Sequence, residues 1–106
     1  MKPALYVVTI EVAPGSEQAW NRWHEDIHVP EVLRQPGFLW VRRLKLSETD
    51  ATGWSGHAMI YGIGSKVDYE HYMANHALHA KFNKEREPFA TKLRIERFAG
   101  EVDLAK

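Results

Sequence analysis

The chain has no cysteine. This excludes disulfides, a thiolate nucleophile and any zinc or iron–sulfur site built on sulfur. No apolar run approaches the ~18 residues of a membrane span, and no signal-peptide core or cleavage site follows Met1-Lys2-Pro3. The sequence therefore predicts a cytoplasmic protein with no membrane partner. Neither sign of charge is in surplus, since 14 Lys and Arg balance 14 Asp and Glu. That argues against nucleic acid as a partner, because such proteins carry a basic excess or patch. There is no glycine-rich phosphate loop and no dinucleotide fingerprint, so nucleotide cofactors are not expected. Internal repeats and low-complexity segments are also missing.

What remains is 106 residues, 44% apolar and 26% charged, which fits one globular domain spanning 1–106. Six His and four Trp are the unusual part. Ala4 to Val12, rich in β-branched and aromatic residues, reads as a strand ended by Pro14-Gly15. Ser16 is placed to cap a helix carrying Trp20, Trp23 and Ile27 at helical spacing, with Glu17 in its first turn. Pro30 disturbs that helix, and a short piece follows to Arg34. After Pro36-Gly37, Phe38 to Leu46 reads as a second strand with Phe38, Trp40, Leu44 and Leu46 on one side. Ser47 to Gly53 is polar and turn-like, and Gly56 to Ile63 is a third strand, completing a hairpin. Ser65 and Asp68 form a capping box for a helix carrying Tyr69, Tyr72, Met73, His76 and Ala80 to about Arg86. Pro88 ends it, and Thr91 to Ala99 is the fourth strand.

The order β-α-β-β-α-β is the split-βαβ, ferredoxin-like arrangement, an α+β class. Right-handed crossovers put both helices on one face of a four-stranded antiparallel sheet. Bulky residues assigned to the other, uncovered face are Trp40, Leu44, Met59 and Tyr61. A large exposed apolar face is unusual in a monomer, and two sheets facing each other about a twofold axis would cover it. A homodimer is therefore expected.

Length, element order and the uncovered sheet resemble the dimeric α+β barrel superfamily across nearly the whole chain. The stretch His24-Glu-Asp-Ile-His28-Val-Pro30 through Pro36-Gly37-Phe38 is similar to EthD-like domains. The Trp20-x-x-Trp23-His24 opening and the Gly37–Leu44 strand resemble a related group of bacterial domains of unknown function. His57, then Tyr72 with His76 and His79, resembles olivetolic acid cyclase-type polyketide cyclases of the stress-responsive barrel family. Those are cofactor-free. The resemblance implies Tyr72 and His79 as the acid/base pair and His57 as a pocket residue. One residue more separates Tyr72 from the first histidine than in that family, which rotates the helix register by about 100°. Leu5 and Tyr6 stand where that family has a first-strand histidine.

Independently of any resemblance, His24 and His28 share one helix face, as do His76 and His79. Imidazole suits proton transfer near neutrality, and the two pairs are read as meeting over the sheet. The same four histidines, with Glu11, Glu25 or Asp26, are a competing metal reading, but each motif alone is weak and no metal is expected. Strand alternation puts His57, Met59 and Tyr61 on one side. If the helices cover the Ala58/Ile60 side, His57 and Tyr61 point into the dimer barrel. Arg42, Arg94 and Glu96 are read as facing that barrel too, with an Arg–Glu pair as a structural alternative to anion binding. Trp40 is the aromatic most suited to line a cavity, and His71 is read as solvated. The resulting assignment makes His79, Tyr72, His76 and His57 catalytic, and His24, His28, Trp40, Arg42 and Tyr61 substrate-binding.

Three functions follow. The preferred one is a small cofactor-independent enzyme using His/Tyr acid–base chemistry on a small apolar, aromatic or polyketide-like molecule, by cyclisation, isomerisation or elimination. The second is a monooxygenase of the quinol or haem-degrading type, using Trp40, Asn75 and His76. The third is an EthD-like accessory domain that binds a ligand without chemistry.

Overall fold

The computed structural model describes residues 2–46 and 52–106. Four strands, β1 (Ala4–Val12), β2 (Phe38–Lys45), β3 (Ser55–Ile63) and β4 (Leu93–Glu101), form one antiparallel sheet in the order β2-β3-β1-β4. The order and pairing are those of a ferredoxin-like α+β fold, as the element order predicts. Residues 47–51 of the turn predicted between β2 and β3 lie outside the described residues. No helix among the described residues is long and apolar enough to cross a membrane.

Both helical regions are interrupted. The first runs as α1 (Glu17–Trp23), a π-helical turn (His24–His28) and α2 (Val29–Leu33). Val29 N–H reaches back five residues to the His24 carbonyl. Pro30 brings no N–H and crowds the carbonyl four residues earlier, and a widened turn directly before it is one way a helix passes such a residue. The second region is α3 (Lys66–Ala74) and α4 (His76–Arg86), followed by a short 3₁₀ turn at Glu87–Phe89. The Ser65 hydroxyl accepts from Asp68 N–H at 3.2 Å, the predicted cap. Ser16 makes no side-chain cap, contrary to expectation; its carbonyl accepts from Trp20 N–H at 3.0 Å. The stripe from Tyr69 to Arg86 is likewise not one helix. Asn75 leaves helical geometry and its side chain caps α4, accepting from Leu78 N–H at 3.2 Å, a role asparagine fills better than a helix interior.

Which sheet face the helices cover corrects one sequence expectation. Ala4, Tyr6, Val8, Ile10 and Val12 of β1 are buried, while the residues between them are half-exposed. The register sets Tyr6 opposite Tyr61, Val8 opposite Met59 and Ile10 opposite His57. Opposed residues share a face, so His57, Met59 and Tyr61 lie under the helices and not on the uncovered side. Alternation alone gives two equivalent faces and cannot say which one the helices take. Phe38 is corrected too. A bulge between Phe38 and Trp40 sets Phe38 opposite Ile63 but Trp40 opposite Gly62, so one extra residue sends the two rings to opposite faces.

The uncovered face carries Leu5, Val7 and Ile60, with Trp40, Leu44 and Phe98 exposed to 38%, 48% and 60%. Trp40 lies flat over Gly62, where any Cβ would collide with the indole. Arg42, Arg94 and Glu96 do face this side. Arg42 stacks 5.6 Å from the Trp40 ring. Arg94 pairs with Glu11 at 3.7 Å and packs 3.7 Å from the Trp54 ring.

Candidate functional site

Between the sheet and the helices lies a cavity of ≈ 30 Å³. That is room for about one water, whose share of the liquid is ~30 Å³. Its polar lining is His24, His28, Tyr61, Tyr72 and His79, together with Arg86 and Arg97. Val8, Ile10, Met59 and Ile95 make its apolar wall.

The π-helical turn brings the first histidine pair inward. His24 and His28 are 2% and 8% exposed, and their rings stack 5.7 Å apart. Trp20 stacks on His24 at 4.5 Å and Trp23 on His28 at 5.0 Å. Arg43 of β2 donates to His24 Nδ1 at 3.2 Å and also pairs with Glu25. His28 Nε2 faces Arg86 Nη2 at 3.5 Å. A guanidinium can only donate, so both facing nitrogens carry lone pairs. The proton of His28 is then on Nδ1, which is buried and unpartnered. Burial, reinforced for His24 by His28 and Arg43 and for His28 by Arg86, pulls both imidazoles down to about 3. They are neutral at pH 7 and too weakly basic to take a proton from a carbon acid.

The break at Asn75 creates the second feature. His79 Nε2 lies 2.9 Å from the Tyr72 carbonyl oxygen. A carbonyl only accepts, so Nε2 carries the proton and Nδ1 holds the free lone pair. The two rings meet edge to face at 4.7 Å. Burial pushes the phenols of Tyr6, Tyr61 and Tyr72 upward, so each keeps its proton. The His79 ring therefore shares the cavity wall with protonated phenols, over an apolar floor.

The remaining sequence candidates separate. His57 is buried but does not line the cavity; it packs 4.8 Å from Trp20, and its Nε2 is 3.6 Å from Glu17. Burial holds its imidazole below the usual range, against the opposing pull of Glu17. Glu17 is itself held low by the Ser55 hydroxyl, which donates to it at 2.9 Å, and by Lys45. His76, at the start of α4, is exposed and absent from the cavity wall, so only His79 of that pair joins the first. Trp40 and Arg42 are on the other side of the sheet. Among the described residues no three His, Asp or Glu are grouped to hold a metal. Arg86, Arg97 and Tyr6 were missed. Their signal was present in His79/Phe82/Arg86 as a helical stripe and in Leu93/Ile95/Arg97 as one strand face, opposite the face to which Arg94 and Glu96 belong.

Solved structures share this fold. The cofactor-independent oxygenase SnoaB from Streptomyces nogalater is 12% identical at a TM-score of 0.71, with 99% of this chain and 97% of that chain covered. A dimeric ferredoxin-like protein from an uncultured marine organism is 14% identical at 0.65, covering 99% and 100%. An ethyl tert-butyl ether (EthD) family protein from Bacillus halodurans is 17% identical at 0.64, covering 92% and 97%. No curated protein matches the sequence. One family model does match, over residues 3–97, and by that match the chain belongs to the family described as a domain of unknown function, DUF4286.

Proposed function

We propose that the protein is a small cofactor-independent enzyme in which His79 takes a proton from an acidic C–H next to a carbonyl of a ring-bearing, polyketide-like molecule. Nδ1 accepts the proton, and the C–H electron pair moves onto the carbonyl oxygen as an enolate. The phenol of Tyr72 donates a hydrogen bond to that oxygen. The imidazolium then returns the proton to a different atom, giving isomerisation, or to a leaving group, giving elimination. Held by its Nε2–H bond, the Tyr72 carbonyl fixes the ring and stabilises the charge it acquires. The carrying observation is the 2.9 Å bond from His79 to that carbonyl inside a wall of protonated phenols. His28 and Tyr61 serve as binding groups. His24 shapes the wall, and His57 supports it through Trp20.

A ring does not fit in ≈ 30 Å³. We place its entry at an outward movement of α4 about Asn75, since α4 fully buries only Phe82. The test is deuterium incorporation from D2O into ring-bearing β-dicarbonyl compounds, followed by NMR. Wild type is expected to exchange above buffer, and His79→Gln is not. Equal exchange by both proteins overturns the proposal. Oxygen uptake during the same reaction points to the oxygenase reading, which the structural likeness to SnoaB favours. In that reading the carbanion forms a C–O bond to dioxygen, and the peroxide anion so formed takes the proton held on His79, giving a hydroperoxide.

The proposal includes a homodimer in which two uncovered faces meet, burying Trp40, Leu44 and Phe98. Sedimentation is expected to give about 24 kDa, twice the 12.2 kDa chain. Trp40→Glu is expected to give the single-chain mass, and a wild-type monomer at tens of micromolar contradicts the dimer.

A further inference from the structure

Arg86 of α4 and Arg97 of β4 both line the cavity, and among the described residues neutral groups hold them. Arg86 Nη1 donates to Asn83 Oδ1 at 3.2 Å, its Nη2 faces His28 Nε2 at 3.5 Å, and its guanidinium lies 6.0 Å from the Phe82 ring. Arg97 is hydrogen-bonded to the Tyr6 side chain. Among the described residues neither guanidinium has a carboxylate within 4.0 Å. The attraction of Glu85 for Arg86 is weaker than the repulsion from Arg97. The two like charges, one half-buried and one exposed, repel each other at the cavity wall, and a bound anion would relieve that repulsion.

We infer that this end of the cavity is an anion site and that the ligand is a planar ring carboxylate. Its carboxylate lies across Arg86 and Arg97, and its ring lies among Tyr6, Tyr61 and Tyr72. A guanidinium fork matches a carboxylate with two hydrogen bonds, and Tyr6 orients the fork of Arg97. Once the cavity has opened for ring entry, its aromatic walls suit a flat apolar body. The inference rests on the cavity being the substrate site; it adds the charge and shape of the substrate.

Benzoate and its neutral isostere benzamide are the probes, read by quenching of Trp20 and Trp23 fluorescence. Saturable binding of benzoate is expected, with benzamide weaker by about tenfold or more, the scale of a charge-assisted hydrogen bond. Arg97→Gln and Arg86→Lys are expected to shrink that preference, the first most, because the exposed Arg97 can be replaced without opening the core. His71→Ala, exposed on α3, is expected to leave it unchanged. Equal affinity for the two probes, no benzoate binding, or a preference that survives both arginine variants overturns the anion site. The deuterium-exchange assay separates the two ideas. Exchange without carboxylate preference removes the anion site alone, and carboxylate preference without exchange removes the acid–base chemistry alone.

Discussion

Lowering the pH from 7 to 5 is expected to remove about 4 kcal/mol of folding stability, through His24 and His28. Both are buried and held at about 3 in the folded protein, whereas an imidazole in the unfolded chain titrates near 6.5. The folded state keeps both rings neutral at pH 5, but the unfolded chain binds a proton on each. Stability is therefore complete above about pH 6.5 and falls steadily as the pH drops towards 3. By linkage each ring contributes roughly 2 kcal/mol of this loss at pH 5. His57 is displaced in the same direction and adds to it. Glu17 and Glu31 are held below the ordinary carboxylate range, so they lose stability only at lower pH and leave the interval from 7 to 5 to the imidazoles. Because domain stabilities run to roughly 5–15 kcal/mol, the loss is large enough to read directly. Urea midpoints measured at half-unit steps should fall across this interval, corresponding to about two protons taken up on unfolding. A His28→Gln variant should fall less steeply. A midpoint that stays level between pH 7 and 5 means that the two rings are not neutral and buried.

The second large effect is expected in turnover. His79→Gln should lower kcat by about 10²–10⁴, the usual worth of a positioned acid–base group. Tyr72→Phe should lower it by about 10²–10³, the scale of one oxyanion donor. KM should change little in either, since the proton and the enolate charge are handled only as the reaction proceeds. The phenol is protonated because burial disfavours its anion, so Tyr72→Phe should leave the pH profile unshifted. His76, exposed one turn away at the start of α4, is the internal control, and His76→Ala should stay within about twofold of wild type. If His79→Gln and Tyr72→Phe both keep full turnover, the acid–base pair is elsewhere.

Much of the fold was legible because it is written in local chemistry. β1 alternates buried and half-exposed residues as its period of two requires, Ser65 caps α3, and the element order dictates the sheet order found. The site was legible in residue type more than in arrangement. His24 and His28 share a face as their spacing predicts. Tyr72 and His79, by contrast, come together through a helix break at Asn75 that helical periodicity alone does not announce. Met59 and Tyr61 were placed on the wrong face because strand alternation is symmetric. Only tertiary packing of Trp20, Val32, Tyr72 and Phe82 decides which face is covered. Phe38 was misplaced because a one-residue bulge reverses the pattern. Arg86 and Arg97 were missed because a charge pair from two distant segments leaves no local motif.

Everything functional here depends on which side of the sheet receives the ligand, and one measurement reads that directly. It is the NMR spectrum of the imidazole and indole N–H groups during a benzoate titration. Binding in the helix-covered cavity should shift His28, His79, Trp20 and Trp23 while leaving Trp40, across the sheet, in place. A shift confined to Trp40, with the buried imidazoles unmoved, would put the site on the open face and contradict the cavity assignment.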